Sequence, residues 1–226
     1  MIKDSGHINE VYIMKNKFRF LFSFFVSLVF LSIGCSGVVS SSDSAEIIMT
    51  TKANSVKISM TGTGWYTIYW GDGDHDTGSL DDFGYEEEFH TFIYTVTNSY
   101  TIKIVGGAIT GLDCIDNQLT SLNVSGCTSL EWLDCFNNQL TLLNVSGCTS
   151  LEWLDCSYNI LPSLDVRDCM ALTYLDCSNN KITRQALENL FEMLIADNGE
   201  IYIGNNTGTT SCDKTTVVGK GWTVYY

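Results

Sequence analysis

The sequence predicts a mainly β protein in which a small β-sandwich is followed by a solenoid of stacked repeats and an α/β C-terminal cap. Two patterns carry this prediction. Residues 109–184 repeat with a period of 21, and self-similarity at such a period is the signature of stacked repeats. Between about residues 45 and 106, short runs alternate apolar and polar residues, as strands with one buried face do.

Composition and charge exclude several classes of protein. Hydrophobic residues make up 45% of the 226 residues and charged residues 17%, so the chain can bury a core and is not disordered. The net charge is −14, and from residue 35 onward 8 basic and 24 acidic residues give −16. A surface of that sign repels phosphate backbones, which excludes nucleic acid as a partner.

The first 34 residues have the pattern of a secretory signal peptide. Three basic residues, Lys15, Lys17 and Arg19, precede an apolar run over residues 20–33. That run is shorter than the roughly 20 residues that a membrane-spanning helix needs. Met14 is the expected true start, because starting at Met1 would place acidic residues ahead of the basic cluster.

The leader ends in Leu31-Ser32-Ile33-Gly34-Cys35, which resembles the lipobox of bacterial lipoproteins. The resemblance implies lipid attachment at Cys35 and a bacterial cell-envelope protein anchored to the outer membrane through that lipid; secretion is the alternative. Residues 35–44 are rich in Ser and are expected to form a flexible tether.

Residues 45–106 are expected to form an antiparallel sandwich, with strands at residues 56–60, 65–70, 92–96 and 100–104. Trp70-Gly71-Asp72-Gly73 resembles the turn signature of PKD-like (immunoglobulin-like) domains. His90-Thr91-Phe92 and Tyr100-Thr101-Ile102 resemble later elements of that family, whose members serve as spacers and interaction modules. The alternating acids Asp72, Asp74 and Asp76 do not fit an EF-hand loop and are interpreted as a solvated turn.

The repeat unit reads L-x-x-L-x-C-x-x-N-x-L-x-x-L-x-V-x-x-C-x-x. It resembles the nested, IRREKO-type leucine-rich repeats of bacteria, and the predicted repeat domain covers residues 107–184. Alternate strand residues point to opposite faces, so the Leu and Cys columns face inward as continuous buried rows.

Seven of the nine cysteines occupy these inward columns: Cys114, Cys127, Cys135, Cys148, Cys156, Cys169 and Cys177. Buried free Cys behaves as a small apolar residue. Parallel side chains on neighbouring coils do not suit disulfide geometry, and zinc sites need cysteines two to four residues apart. We therefore expect free core thiols.

The repeats end after Ile182, and residues 185–226 are expected to form the cap. Residues 185–196 place apolar side chains at helical spacing, and residues 201–203 and 222–225 have strand character. A cap of this kind covers the apolar row that the last coil leaves open.

No catalytic constellation or phosphate-binding loop is present in the sequence, so we expect a non-enzymatic protein without cofactor or metal. The candidate ligand-binding face is the outward side of the first strand of each coil: Trp132, Trp153 and Tyr174, with Asp113, Asp134, Asp155 and Asp176 beside them. Aromatic rings beside carboxylates suit a glycan or a protein partner at the cell surface. The alternatives are that these residues only cover the sheet, and that the chain is a structural spacer or assembly component without a ligand.

Overall fold

The structure is a computed structural model that describes residues 46–80, 90–95, 100–195 and 198–226. These residues all lie in one compact unit, Ser40–Tyr226. The predicted signal peptide, the lipid site at Cys35 and the tether lie outside the described residues. Among the described residues, the helices lack the length and hydropathy of a transmembrane span.

Twelve strands and two helices form the described fold. The strands are β1 (Glu46–Thr51), β2 (Ser55–Tyr69), β3 (His75–Ser79), β4 (His90–Thr95), β5 (Tyr100–Asp113), β6 (Leu119–Asn123), β7 (Trp132–Asp134), β8 (Leu142–Asn144), β9 (Trp153–Asp155), β10 (Tyr174–Asp176), β11 (Glu200–Tyr202) and β12 (Thr223–Tyr225). The helices are α1 (Arg184–Met193) and α2 (Thr215–Gly219). The chain is therefore mainly β, as the sequence predicts.

The solenoid is built on a row of parallel strands. The end of β5 pairs with β7, and the row continues through β9, β10, β11 and β12. The register places Leu112, Leu133, Leu154 and Leu175 side by side, and all four are fully buried. The predicted 21-residue columns are thus rows of neighbouring residues in the fold.

A second, shorter row is formed by β6 and β8, which pair in parallel. Strand β1 joins the two rows, because it pairs antiparallel with β5 on one side and with β6 on the other. The hydrogen-bonded sheet therefore bends around the N-terminal end of the solenoid. Strand β1 covers the edge that β6 would otherwise expose.

Strand β2 covers the corresponding edge of the long row. It runs antiparallel to β5 and aligns Met60 with Leu112, and it also pairs with β3 and β4. The β2–β5 ribbon bends at glycines with positive φ in both strands. At Gly62, with φ +146°, an added Cβ would lie 2.1 Å from the backbone oxygen of Ala108, so only glycine fits this bend.

The N-terminal β module and the repeats share one sheet and one core. The boundary expected between residues 106 and 107 falls inside β5, and the buried apolar cluster runs without interruption from Ile47 to Trp222. The module packs as the N-terminal cap of the solenoid, since β1 and β2 occupy the two strand edges of the first coil.

The acidic turn at residues 72–76 is held by two aromatic side chains. The single proton of the Tyr94 hydroxyl is shared between carboxylate oxygens of Asp72 at 2.8 Å and Asp74 at 2.9 Å, and Trp70 Nε1 donates to Asp76 at 2.8 Å. The rings of Trp70 and Tyr94 stack 4.6 Å apart. The hydrogen bond from the Asp74 N–H, followed by that from the Tyr94 hydroxyl, lowers the pKa of Asp72.

A buried asparagine ladder connects successive coils. In its interior, Asn159 Nδ2 lies within 3.0–3.2 Å of the carbonyls of Cys135, Cys156 and Ser157, and its Oδ1 accepts from the Leu140 N–H at 2.9 Å. At the N-terminal end, Asn117 bonds the backbone N–H and carbonyl of Lys57 in β2. The ladder members are Asn117, Asn138, Asn159, Asn180 and Asn206.

The cysteine columns form two buried rows. Cys114, Cys135, Cys156 and Cys177 lie in one row, and Cys127, Cys148 and Cys169 in the other. All seven are free and buried, as is Cys212 in the cap. Several thiols donate to backbone carbonyls, as Cys148 does to Val124 at 3.1 Å.

The C-terminal cap combines α1, α2 and the last two strands. Helix α1 begins after Thr183, whose hydroxyl accepts from the Ala186 N–H at 3.3 Å, and it buries Leu187, Leu190 and Phe191. The helix expected at residues 185–196 is thus confirmed, with its end at Met193.

Candidate functional site

Three aromatic side chains of the candidate face form a stack. The rings of Trp132 and Trp153 have centroids 5.4 Å apart and an interplanar angle of 24°. Trp153 and Tyr174 follow at 5.0 Å and 7°. These separations match the spacing of about 4.8 Å between neighbouring strands, because each ring stands on its own rung.

Two tyrosines of the cap extend the stack. Tyr202 lies 5.5 Å from Tyr174 with a tilt of 41°, and Tyr225 stacks on Tyr202 at 4.4 Å and 10°. Tyr202 is offset by two residues along its strand, since it aligns with Asp176 and not with Tyr174. We call the five residues Trp132, Trp153, Tyr174, Tyr202 and Tyr225 the aromatic ladder; it spans about 20 Å, or four strand spacings of about 4.8 Å.

The stacking decides which part of each ring is accessible. The faces of neighbouring rings cover one another, and Trp132 Cε3 lies 3.4 Å from where a Cβ on Gly111 would stand. The first four rings are half-buried and Tyr225 is 40% exposed. Along most of its length the ladder therefore presents ring edges as an apolar ridge.

The aspartates expected beside the rings end the strands. Asp134, Asp155 and Asp176 are only 2%, 5% and 7% exposed, and Asp113 is half-buried. In each case Oδ1 accepts the backbone N–H two residues further on, at 2.9–3.1 Å. This is the Asx turn that Asp favours, and it places these carboxylates in the turns that follow the strands.

Exposed carboxylates near the ladder come from glutamates. Glu131 and Glu152 directly precede Trp132 and Trp153, lie on successive rungs, and are exposed. Partial desolvation and the charge of Glu152 raise the pKa of Glu131. Glu200 aligns with Tyr174 and accepts a hydrogen bond from the Tyr202 hydroxyl at 3.2 Å. Burial and this carboxylate raise the pKa of Tyr202 to about 12.

Tyr202, Tyr225 and the glutamates were not predicted as part of the face, whereas Tyr174 was. A usable signal exists in the cap, where Ile201-Tyr202-Ile203-Gly204-Asn205-Asn206 parallels Leu175-Asp176-Cys177-Ser178-Asn179-Asn180. That alignment places Tyr202 in the Asp column and Asn206 in the Asn column, as the structure does. Because Asn206 follows Asn180 by 26 residues, the two segments do not align at a period of 21.

The described residues contain no group of three or more His, Cys, Asp or Glu side chains able to hold a metal ion. The thiols are poor nucleophiles, because burial raises the pKa of Cys127 to about 11 and that of Cys148, next to Cys127 and Cys169, to about 12. The arrangement offers a contact surface, with apolar ring edges flanked by carboxylates.

One comparison with known proteins agrees with the repeat architecture. The leucine-rich repeat family model matches residues 171–193, and the chain contains leucine-rich repeats. A search of curated proteins gives no significant match. A solved structure of the functional domain of InlJ from Listeria monocytogenes, which includes a cysteine ladder, is 23% identical with a TM-score of 0.31. The match covers 51% of this chain and 35% of that one.

Proposed function

We propose that the chain is a non-enzymatic binding protein that contacts a protein partner through the aromatic ladder. The observation that carries the proposal is a continuous, partly exposed row of two tryptophans and three tyrosines on one sheet face. Trp and Tyr are the residues that most often anchor protein interfaces, and a row on a rigid sheet requires no ordering when a partner docks.

The stacking favours a protein over a glycan. A sugar ring packs its apolar side against an open aromatic face. In the ladder, the stacked faces of Trp132, Trp153 and Tyr174 cover one another, as do those of Tyr202 and Tyr225. Ring edges still supply apolar contact to the side chains of a protein. The glycan alternative therefore loses the feature that first supported it.

In this proposal the remaining segments position the ladder outside the cell. The leader and Cys35 would attach the protein to the bacterial envelope, with secretion as the alternative. The N-terminal module, with its PKD-like Trp70-Gly71-Asp72-Gly73 turn, would serve as cap and spacer. Labelling with radioactive palmitate tests the anchor: we expect it in the full chain and not in Cys35→Ala, and unchanged labelling would reject Cys35 as the site.

Binding to a panel of purified extracellular-matrix proteins and glycans tests the ladder. Trp153→Ala is compared with Trp65→Ala, because Trp65 is 73% exposed on β2 and outside the ladder. We expect at least one panel protein to bind saturably, with affinity reduced about tenfold or more by Trp153→Ala and less than twofold by Trp65→Ala. Trp153→Phe, which retains an aromatic ring, should keep most of the affinity.

Two results would contradict the proposal. Equal losses in Trp153→Ala and Trp65→Ala would place the contact elsewhere. If no panel protein binds saturably although the melting temperature shows that the chain is folded, a structural spacer without its own ligand is favoured.

A further inference from the structure

The repeats have a charge distribution that differs from the rest of the chain. Residues 104–166 contain seven acidic residues and no Lys, Arg or His. No basic residue lies on β7, β9, β10, β11 or β12, the strands that carry the ladder. The ion pairs of the described residues lie on other segments, joining Lys103 to Glu46, Arg167 to Asp165, and Arg184 to Glu188.

Exposed glutamates lie at the start of three rungs of the ladder, directly before β7 and β9 and at the first residue of β11. The backbone N–H of Glu152 donates to the carbonyl of Glu131 at 2.9 Å, so the two glutamates are direct neighbours. Glu200 lies further along the row, in register with Tyr174. All three are exposed, whereas the aspartates of β7, β9 and β10 are buried.

Like charges at this spacing repel one another in the unbound protein. Neighbouring rungs lie about 4.8 Å apart, which is less than the Debye length of about 8 Å at physiological ionic strength. Partial burial and, after it, the charge of Glu152 raise the pKa of Glu131. A cationic ligand would relieve the repulsion, and an anionic one would add to it.

We infer that the aromatic ladder receives a cationic segment of its protein partner, whose Arg or Lys side chains reach Glu131, Glu152 and Glu200 while their aliphatic stems lie on the ring edges. This inference rests on the proposed function and adds the chemistry of the partner. Arg and Lys suit the surface because their stems cover apolar surface while their charged heads stay in water. Arg also binds carboxylates through two parallel hydrogen bonds.

The test uses the full chain and three fluorescein-labelled peptides that are identical except at alternate positions, which carry Arg, Ser or Glu. We expect saturable binding of the Arg peptide, binding at least about tenfold weaker for the Ser peptide, and none for the Glu peptide. Raising the salt to about 1 M, where the Debye length is about 3 Å, should weaken binding of the Arg peptide by a similar factor.

Matched charge variants locate the contact. Glu131→Gln with Glu152→Gln should weaken the Arg peptide about tenfold, at about two- to fivefold per carboxylate. Asp72→Asn with Asp74→Asn removes the same charge from the exposed turn of the N-terminal module and should change affinity less than twofold. Melting temperatures of both variants show that the fold is retained.

The outcomes separate this inference from the proposed function. Failure of the Arg peptide to bind saturably, tight binding of the Ser or Glu peptide, or equal losses in both double variants would overturn the cationic partner. If a panel protein binds in a Trp153-dependent manner but is insensitive to salt and to the Glu131 and Glu152 substitutions, the ladder is a binding site and its partner is not cationic. If no panel protein binds in a Trp153-dependent manner, the result counts against the proposed function.

Discussion

The asparagine ladder provides a quantitative test of what holds the coils together. In Asn159→Ala, one acceptor bond to the Leu140 N–H and the amide bonds to three carbonyls are lost at a site that is 5% exposed. A buried hydrogen bond contributes about 1 kcal/mol, and an orphaned buried group costs about 1–3 kcal/mol. We expect the free energy of unfolding to fall by about 4 kcal/mol, a large share of the 5–15 kcal/mol typical of a domain.

Urea denaturation followed by circular dichroism measures this loss. Asn117→Ala is the internal comparison, because this terminal member bonds only the backbone of Lys57 through its side chain; we expect about half the effect. Gln139→Ala, at an exposed neighbouring position, should change stability by less than about 0.5 kcal/mol. A loss below about 1 kcal/mol for Asn159→Ala, or one no larger than that of Asn117→Ala, would refute the reasoning.

Three further predictions concern stability. Burial raises the pKa of seven thiols, to about 11 for Cys127. Above about pH 8.5 these thiols ionise in the unfolded state while they stay protonated in the folded state. Each thiol therefore lowers the free energy of unfolding by about 1.4 kcal/mol per pH unit. Stability should be constant near neutrality and collapse between about pH 9 and 11; a flat profile in a pH-dependent melting series would contradict this. Tyr158 is exposed with φ +54°, and Tyr158→Asn should raise stability by about 0.5–1 kcal/mol in urea; a decrease would show that the ring contact with Phe136 outweighs the backbone strain. Gly62→Ala should lower the free energy of unfolding by several kcal/mol, because its Cβ meets the Ala108 oxygen. Gly73→Ala, whose Cβ meets no atom within 4 Å, should lower it by only about 1 kcal/mol. Similar melting temperatures for the two variants would disprove the steric argument.

The repeat region could be predicted in detail because its information is local and repeated. Each coil encodes the same inward row, so the burial of Leu133 or Cys135 follows from strand alternation and period alone. The helix of the cap was also predictable, since Leu187, Leu190 and Phe191 lie on one helical face. The second helix, α2, is only five residues long and has no periodic signal.

The candidate face was predicted only in part. The column of Trp132, Trp153 and Tyr174 follows from the period, but the exposure of each side chain depends on neighbours that the period does not reveal. The Asp column looked accessible because its residues point outward with the rings. In the fold each carboxylate instead bends back to the N–H two residues further on, because an Asx turn satisfies a backbone donor where the strand ends.

The stacked leucine-rich coils, the buried thiol rows and the lack of basic residues over residues 104–166 follow from the sequence alone, because they depend on local alternation and on residue counts. Three features could be read only from the fold: β1 and β2 close the N-terminal edges of both strand rows, Tyr202 and Tyr225 extend the aromatic ladder, and stacking covers its ring faces. These features depend on pairing between distant segments such as Met60 with Leu112. Strand edges are saturated by whichever segment reaches them with matching backbone geometry, and no periodic pattern specifies that segment in advance.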